Sequence, residues 1–489
     1  MKRRLVVVGL DGACWEIINR IGLDRLPNLK KIVDGGCSGN LISTIPYVTA
    51  PAWTSAFTGV NPGKHGIFNF TISEGEKLQP LTSNEKRYPM IWDMLGKNGL
   101  KTIAVAVPLT YPAKKINGVM VTGFGTPGMT GDFAYPDDIK KLIKERYEDF
   151  RVSPLSNPKR KERYIDEAYT VAKQNSDLTK VLMEKYPDWD LTITVFSSTD
   201  WTQHFFWDDT EALYKMYGEA DKFLGWLFDN VIDEKTYVVI MSDHGFVKNK
   251  RVFSVFKFLN DKGMVSVQKN TVKSLLSSLG ITKNLLKDLD VFRLRHKWFL
   301  PLKKFIPQTK QDSKNVDVKK SKIFFAGRAI HLNCSEEEKM AIKKQLEEVI
   351  DPKTGTKPIK LILDKNELYW GGDLTSVPDL FLEPAEGYQI ETTYDKNLFR
   401  DMGEDDPAVH SINGVHAFYG GQIRKSSEKM KIWDITPMIL HILGQPLYND
   451  MDGVVYRDVF DEDSELRKTE SKKIINIKRF SSLIKKKKG

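Results

Sequence analysis

The chain has 489 residues, 41% hydrophobic and 28% charged, a composition that suits a soluble globular protein of two to four domains and excludes a disordered chain. Its opening apolar run of about six residues meets Asp11-Gly12 too early for a signal peptide, and nothing approaches the roughly 18 apolar residues of a membrane span. The net charge of +10 is an appendage: Arg467 to Gly489 hold ten Lys or Arg against Glu470 alone, +9, which leaves +1 for the rest.

In chain order, residues 4–9 predict a buried parallel strand that turns at Asp11-Gly12. A helix is expected over 90–98 and a strand over 102–107. Residues 126–190 are charge-rich and predict a helical insertion, entered at Pro136-Asp137-Asp138 and broken by a loop over 153–158. Strands follow at 191–196 and 237–241, with a helix over 208–229 between them. Residues 268–320, rich in lysine, predict a second, partly helical insertion. The alternation is expected to resume at Ile323-Phe324-Phe325-Ala326 and to close on a helix from Trp433 that stops at Gly444. Strands alternating with helices imply an α/β fold: a doubly wound, mostly parallel sheet with helical insertions. One catalytic domain over 1–460 and a basic tail over 467–489 complete the expected organisation.

In such sheets ligands gather beyond the carboxyl ends of the strands. Asp11, Asp200, Asp243 and His244 all fall there. Asp200 and His204 are four apart, so a helical turn puts both on one face. Aspartate and imidazole together suit a zinc-class ion, with manganese the alternative for an aspartate-rich site. Two such clusters suggest a pair of ions, the arrangement of enzymes that displace groups at phosphorus. The phrase from Thr44 to Ile67 predicts a helix ending at Thr58-Gly59 with Thr49 at its N-terminus, where the dipole favours phosphate.

These pieces resemble the alkaline phosphatase superfamily and, within it, the type I phosphodiesterase/nucleotide pyrophosphatase family. The matching residues are Gly9-Leu10-Asp11-Gly12, Thr49-x-Pro51 with Thr58-Gly59 and Pro62-x-x-His65-Gly66-Ile67, Asp200-x-x-x-His204, Ser242-Asp243-His244-Gly245 and Gly414-Val415-His416. The resemblance implies one zinc on Asp200, His204 and His416, and another on Asp11, Asp243 and His244 with Thr49 bridging. It implies a phosphothreonine intermediate on Thr49 that water hydrolyses. Asn69 is the nearest counterpart of the family's phosphate-contacting asparagine, one residue short in its spacing from Thr49. Threonine, rather than a modifiable cysteine, argues for phosphorus over sulfur.

Plainer readings stand beside these. His65 is expected to pack or cap its turn. His410 competes with His416, and the Gly-x-His context favours His416. His296, His331 and His441 read as surface or core residues. Trp53, Trp201, Phe205, Phe206 and Trp207 would suit nucleotide stacking, although packing against the sheet is the simpler role. The three cysteines, Cys14, Cys37 and Cys334, lack disulfide or metal spacing and favour a cytoplasmic, reducing location. In the tail, Ile477, Phe480 and Ile484 form an apolar stripe among lysines, which offers an anionic membrane surface as a partner against a solvated terminus. Nucleic acid has no supporting motif. The expected function is hydrolysis of a small phosphate ester or nucleotide. The alternatives are a phosphotransferase or phosphomonoesterase on a lipid or sugar head group, and a catalytically silent membrane-associated binding protein.

Overall fold

The computed structural model describes residues 2–474 except 75–76, 86–87, 266, 270–313, 317–320, 327, 373, 376, 394 and 404–407. The apolar stripe of the tail, His296 and most of 268–320 lie outside the described residues. The chain divides into two units: Met1–Lys248 with Tyr369–Thr375 and Asp405–Gly489, and Asn249–Leu368 with Ser376–Glu404. The region 126–190 is therefore part of the first unit, and the second unit is larger than the insertion expected at 268–320.

The first unit is built on a ten-stranded sheet. Its strands are β1 (Arg4–Leu10), β2 (Cys37–Ile42), β3 (Thr102–Val107), β4 (Gly118–Thr122), β5 (Ala134–Tyr135), β6 (Leu191–Phe196), β7 (Thr236–Met241), β8 (Asn413–Tyr419), β9 (Ser426–Ser427) and β10 (Met430–Lys431). Their order is β9-β2-β8-β7-β1-β6-β3-β4-β5, with β10 also on β2. The centre, β7-β1-β6-β3-β4, is parallel, while β8 runs antiparallel to both β7 and β2.

β1, β3, β6 and β7 are continuous, largely β-branched runs because both faces of the sheet are covered. Leu5 and Val7 join one apolar core with Trp53, Phe57 and Met438, from helices Thr49–Thr58 and Ile435–Ile442. Val6, Val8 and Leu10 join the other with Ile17, Leu29 and Phe223. Burial of this kind contributes on the order of 25 cal/mol per Å² of apolar surface. At Gly9 the packing leaves no room for a side chain, since a Cβ there would lie 2.6 Å from the Trp53 ring.

The second unit has a four-stranded sheet in which every pairing is antiparallel, with Ile323–Ala326 beside Ala329–Leu332, then Leu380–Pro384 and Ile359–Asp364. Ile323–Ala326 therefore does not resume the parallel alternation, contrary to the sequence expectation. A short apolar run is the same signal for either sheet, and only its partners decide. Among the described residues no helix is long and apolar enough to cross a membrane.

Candidate metal centre and substrate cavity

Register brings the chemistry together. Gly9 is level with Val195 on β6 and Met241 on β7, so the three central strands end in step. Asp11 follows β1 directly. β6 continues through Ser197 into the helix Ser198–Phe206, which carries Asp200 and His204 one turn apart. Beyond β7, Asp243 and His244 precede the short strand Gly245–Val247, which pairs antiparallel with Val409–Ser411 and sets Phe246 opposite His410. Thr49 begins its helix, and the helix ends at Gly59 in the left-handed conformation, as the Thr-Gly pair predicts.

The side chains converge closely. His410 Nε2 lies 3.2 Å from Asp200 Oδ1 and 3.0 Å from His204 Nε2, which is itself 3.7 Å from Asp200. The His410 ring stacks on His244 with centroids 3.6 Å apart. His244 Nε2 is 3.1 Å from Asp243 Oδ2 and 3.5 Å from the Thr49 hydroxyl. Two ligand groups result, Asp200–His244–His410 and Asp11–Asp243–His244, each with its donor atoms within 4.8 Å of one another.

The donor set fits divalent cations. Nδ1 of His204, His244 and His410 each meets a backbone carbonyl, of Ala408, Gly245 and Tyr47, at 3.1, 3.2 and 3.2 Å. A carbonyl can only accept, so each Nδ1 carries the proton and each Nε2 presents its lone pair. Two such nitrogens 3.0 Å apart beside a carboxylate require a positive charge near them. The carboxylates are prepared likewise. Gly12 donates its amide to Asp243 Oδ1 at 3.0 Å, and Ser197 its hydroxyl to Asp11 Oδ2 at 3.2 Å. Asp11 Oδ1, Asp200 Oδ1 and Asp243 Oδ2 remain buried and make no hydrogen bond.

Electrostatics point the same way. Burial, and then Asp243 and Asp200, push the Asp11 carboxyl well above its usual range. Burial foremost takes Asp243 up to about 6. At Asp200 burial acts upward, and only positive charge at His204 and His410 would outweigh it and hold the carboxyl at about 2; with the imidazoles neutral, a bound cation has to supply that charge. Burial also lowers His204 and His244, which keeps them neutral and fit to ligate.

Three expectations change. His416 does not join the cluster: it sits within β8 opposite Met241, with Nε2 on the Glu428 carbonyl at 2.9 Å. His410 stands in the place expected for it. β8 runs antiparallel to β7, so its amino end opens where β7 ends; His410 lies just before that end and His416 inside the strand. Asn69 turns its side chain to the Phe70 amide at 2.8 Å, and Phe70 rather than Asn69 lines the cavity. Trp53 and Trp207 pack in the cores, but Trp201 lines the cavity. His65 behaves as expected, taking the Ile67 amide at 3.1 Å and meeting the Ser55 hydroxyl at 2.9 Å. His441 is a core residue bonded to Ser471 and Leu466.

The cavity measures about 360 Å³. Asp11, Thr49, Asp200, His204 and His410 form its floor, and Phe70, Phe124, Ser153, Pro154, Tyr164 and Trp201 its wall. Phe70, Phe124 and Tyr164 have no counterpart in the sequence expectations, since a lone aromatic carries no spacing signal, and Ser153 and Pro154 are expected only as loop.

A family model of type I phosphodiesterases / nucleotide pyrophosphatases matches residues 5–416. No curated protein matches the chain by sequence. Among solved structures, murine ectonucleotide pyrophosphatase / phosphodiesterase 5 is similar at 15% identity and TM-score 0.52, over 94% of this chain and 100% of its own. Phosphonoacetate hydrolase from Sinorhizobium meliloti 1021 is similar at 14% identity and TM-score 0.59, over 90% and 96%. Alkaline phosphatase PafA is similar at 16% identity and TM-score 0.55, over 94% and 99%. At these identities the likeness shows a shared alkaline phosphatase-like fold.

Proposed function

The chain belongs to the type I phosphodiesterase/nucleotide pyrophosphatase family, a family of metal-dependent phosphoester hydrolases, and from that premise we propose that it cleaves phosphodiesters through Thr49 at a two-ion site. The observation that carries the proposal is the Thr49 hydroxyl, which opens a helix 3.5 Å from His244 and shares its cavity with the bare oxygens of Asp11 and Asp200. Asp200, His204 and His410 would hold one ion, and Asp11, Asp243 and His244 the other, with Thr49 at its edge. Zinc suits this mixed N/O donor set, with manganese the alternative. When bound, the cations supply the positive charge that makes a hydroxyl nucleophilic at neutral pH and offsets charge on the phosphate.

The chain's own groups do the rest. Thr49 Oγ1 forms a bond to phosphorus as the P–O bond to the leaving alcohol breaks, which gives a phosphothreonine. Water then cleaves the phosphothreonine, restoring the Thr49 hydroxyl and releasing a phosphomonoester. The N-terminal amides of the Thr49 helix lie where phosphate charge is favoured. Hydrogen bonds from each Nδ1 to the backbone keep the imidazoles oriented through the cycle.

A diester fits better than a monoester. Among the described residues that line the cavity there is no Lys or Arg, so beyond the two cations no side chain there answers the second charge of a monoester dianion. An inactive variant of the murine relative is known in complex with AMP, which makes nucleotides a natural first panel. The test is zinc analysis with turnover of para-nitrophenyl phosphate against its diester. Bound metal and preferred turnover of the diester are expected; no metal and no turnover of either ester would remove the enzyme reading.

A further inference from the structure

One part of the cavity wall does not come from strand ends. Ser153 and Pro154 belong to a loop that precedes the helix Lys161–Lys185, and one side chain of that helix holds the loop in place. The Glu167 carboxylate accepts the amides of Leu155 and Ser156 and the Ser156 hydroxyl, each at 2.8 Å. Arg163 donates to the same carboxylate at 3.1 Å. Burial acts to raise the Glu167 carboxyl, but these donors, Ser156 first, outweigh it and bring the group down to about 2. A permanently charged anchor therefore fixes an otherwise irregular loop.

Two apolar side chains near this loop are exposed. Leu155, adjoining Pro154, is 75% exposed, and Phe205, adjoining His204, is 50% exposed. The Tyr164 ring lies edge-on to Phe205 at 5.7 Å and faces into the cavity, where Phe124 meets Trp201 at 6.0 Å. Single exposed apolar residues mean little by themselves. Here they adjoin a wall of aromatic rings that offers no cation among its described residues.

We propose that the loop 153–156, pinned by Glu167, receives the non-reacting ester arm of the substrate, and that this arm is uncharged and apolar, aryl or alkyl, rather than charged. The inference rests on the reading of Thr49 as a phosphodiester hydrolase and names which diester the site prefers. Glu167 lies outside the cavity lining and bonds to Leu155, Ser156 and Arg163; it is a positioning residue for the wall.

The test compares three 4-nitrophenyl phosphodiesters on the metal-loaded full chain: the bis(4-nitrophenyl) ester, the methyl ester and the 3-carboxypropyl ester, whose non-reacting arm is charged. The aryl diester should exceed the methyl diester about tenfold or more in kcat/KM, and the carboxypropyl diester should be the poorest of the three. Glu167→Gln should cut the aryl-to-methyl ratio by about fivefold, through KM rather than kcat. Leu155→Asp changes an exposed side chain, so the fold is kept, and it should shift the ratio in the same direction.

A ratio near one in the wild type, faster cleavage of the carboxypropyl diester than of the aryl diester, or an equal fall in kcat for the aryl and methyl diesters in Glu167→Gln would overturn the inference. Turnover of the methyl diester without aryl preference removes this inference alone. No turnover of any diester removes the reading beneath it.

Discussion

The cavity has two sides made of opposite materials. Its floor is charged and buried, its oxygens and nitrogens held by register between parallel strands that end together. Its wall is aromatic, and part of it is carried on a loop held by one carboxylate. A floor fixed by three strands cannot shift one residue without moving the whole sheet, whereas a wall pinned by one residue can be altered locally. On the function proposed above, reaction type would belong to the first and choice of ester to the second.

The largest effect expected is at the floor. Thr49→Ala should lower turnover by at least about a thousandfold while zinc content is unchanged. Near-normal activity in that variant would remove Thr49 as nucleophile. His410→Ala and His416→Ala then separate ligation from folding. The former should lower activity or metal affinity by at least about a hundredfold. The latter should keep the metal and lose about 2 kcal/mol of stability, from the bond to Glu428 and the space left in the core. Metal loss in His416→Ala with none in His410→Ala would reverse the assignment made here.

Gly9→Ala tests whether the floor depends on close packing behind it. A Cβ 2.6 Å from Trp53 should cost about 1–3 kcal/mol by urea unfolding. A neutral result would mean that the sheet yields more easily than its register suggests.

The smallest effect concerns the wall and is read against pH. Glu167 has its folded carboxyl depressed from 4.5 to about 2. Its contribution to stability is therefore complete above pH 4.5 and is lost as pH falls from there through about 2. Compared by urea unfolding at pH 5 and pH 3, Glu167→Gln should lose less stability on acidification than the wild type. Equal acid sensitivity would show that the anchor does not work as a charge.

The alternation of apolar runs set the parallel core before any coordinates, because strands buried on both faces have to be continuously apolar. Asp11, Asp200, His204, Asp243, His244 and Thr49 were legible for a related reason. Asp11, Asp243 and His244 follow strand ends, Thr49 opens a helix, and Asp200 and His204 lie one turn apart on the helix that follows β6, and those local events show in the residues themselves. Whether Ile323–Ala326 pairs parallel or antiparallel was not written in its four residues, since its partners lie elsewhere in the chain. His410 and His416 are six apart, and both neighbour glycine or serine turns. Only the pairing of Val409–Ser411 with Gly245–Val247 places one over His244 and leaves the other within the sheet. The wall was decided in the same way, by Phe70, Phe124 and Tyr164 arriving from distant segments. Sequence determined the chemistry held at strand ends, because that depends on local order; tertiary structure decided which distant side chains complete it, because that depends on register and packing across the chain.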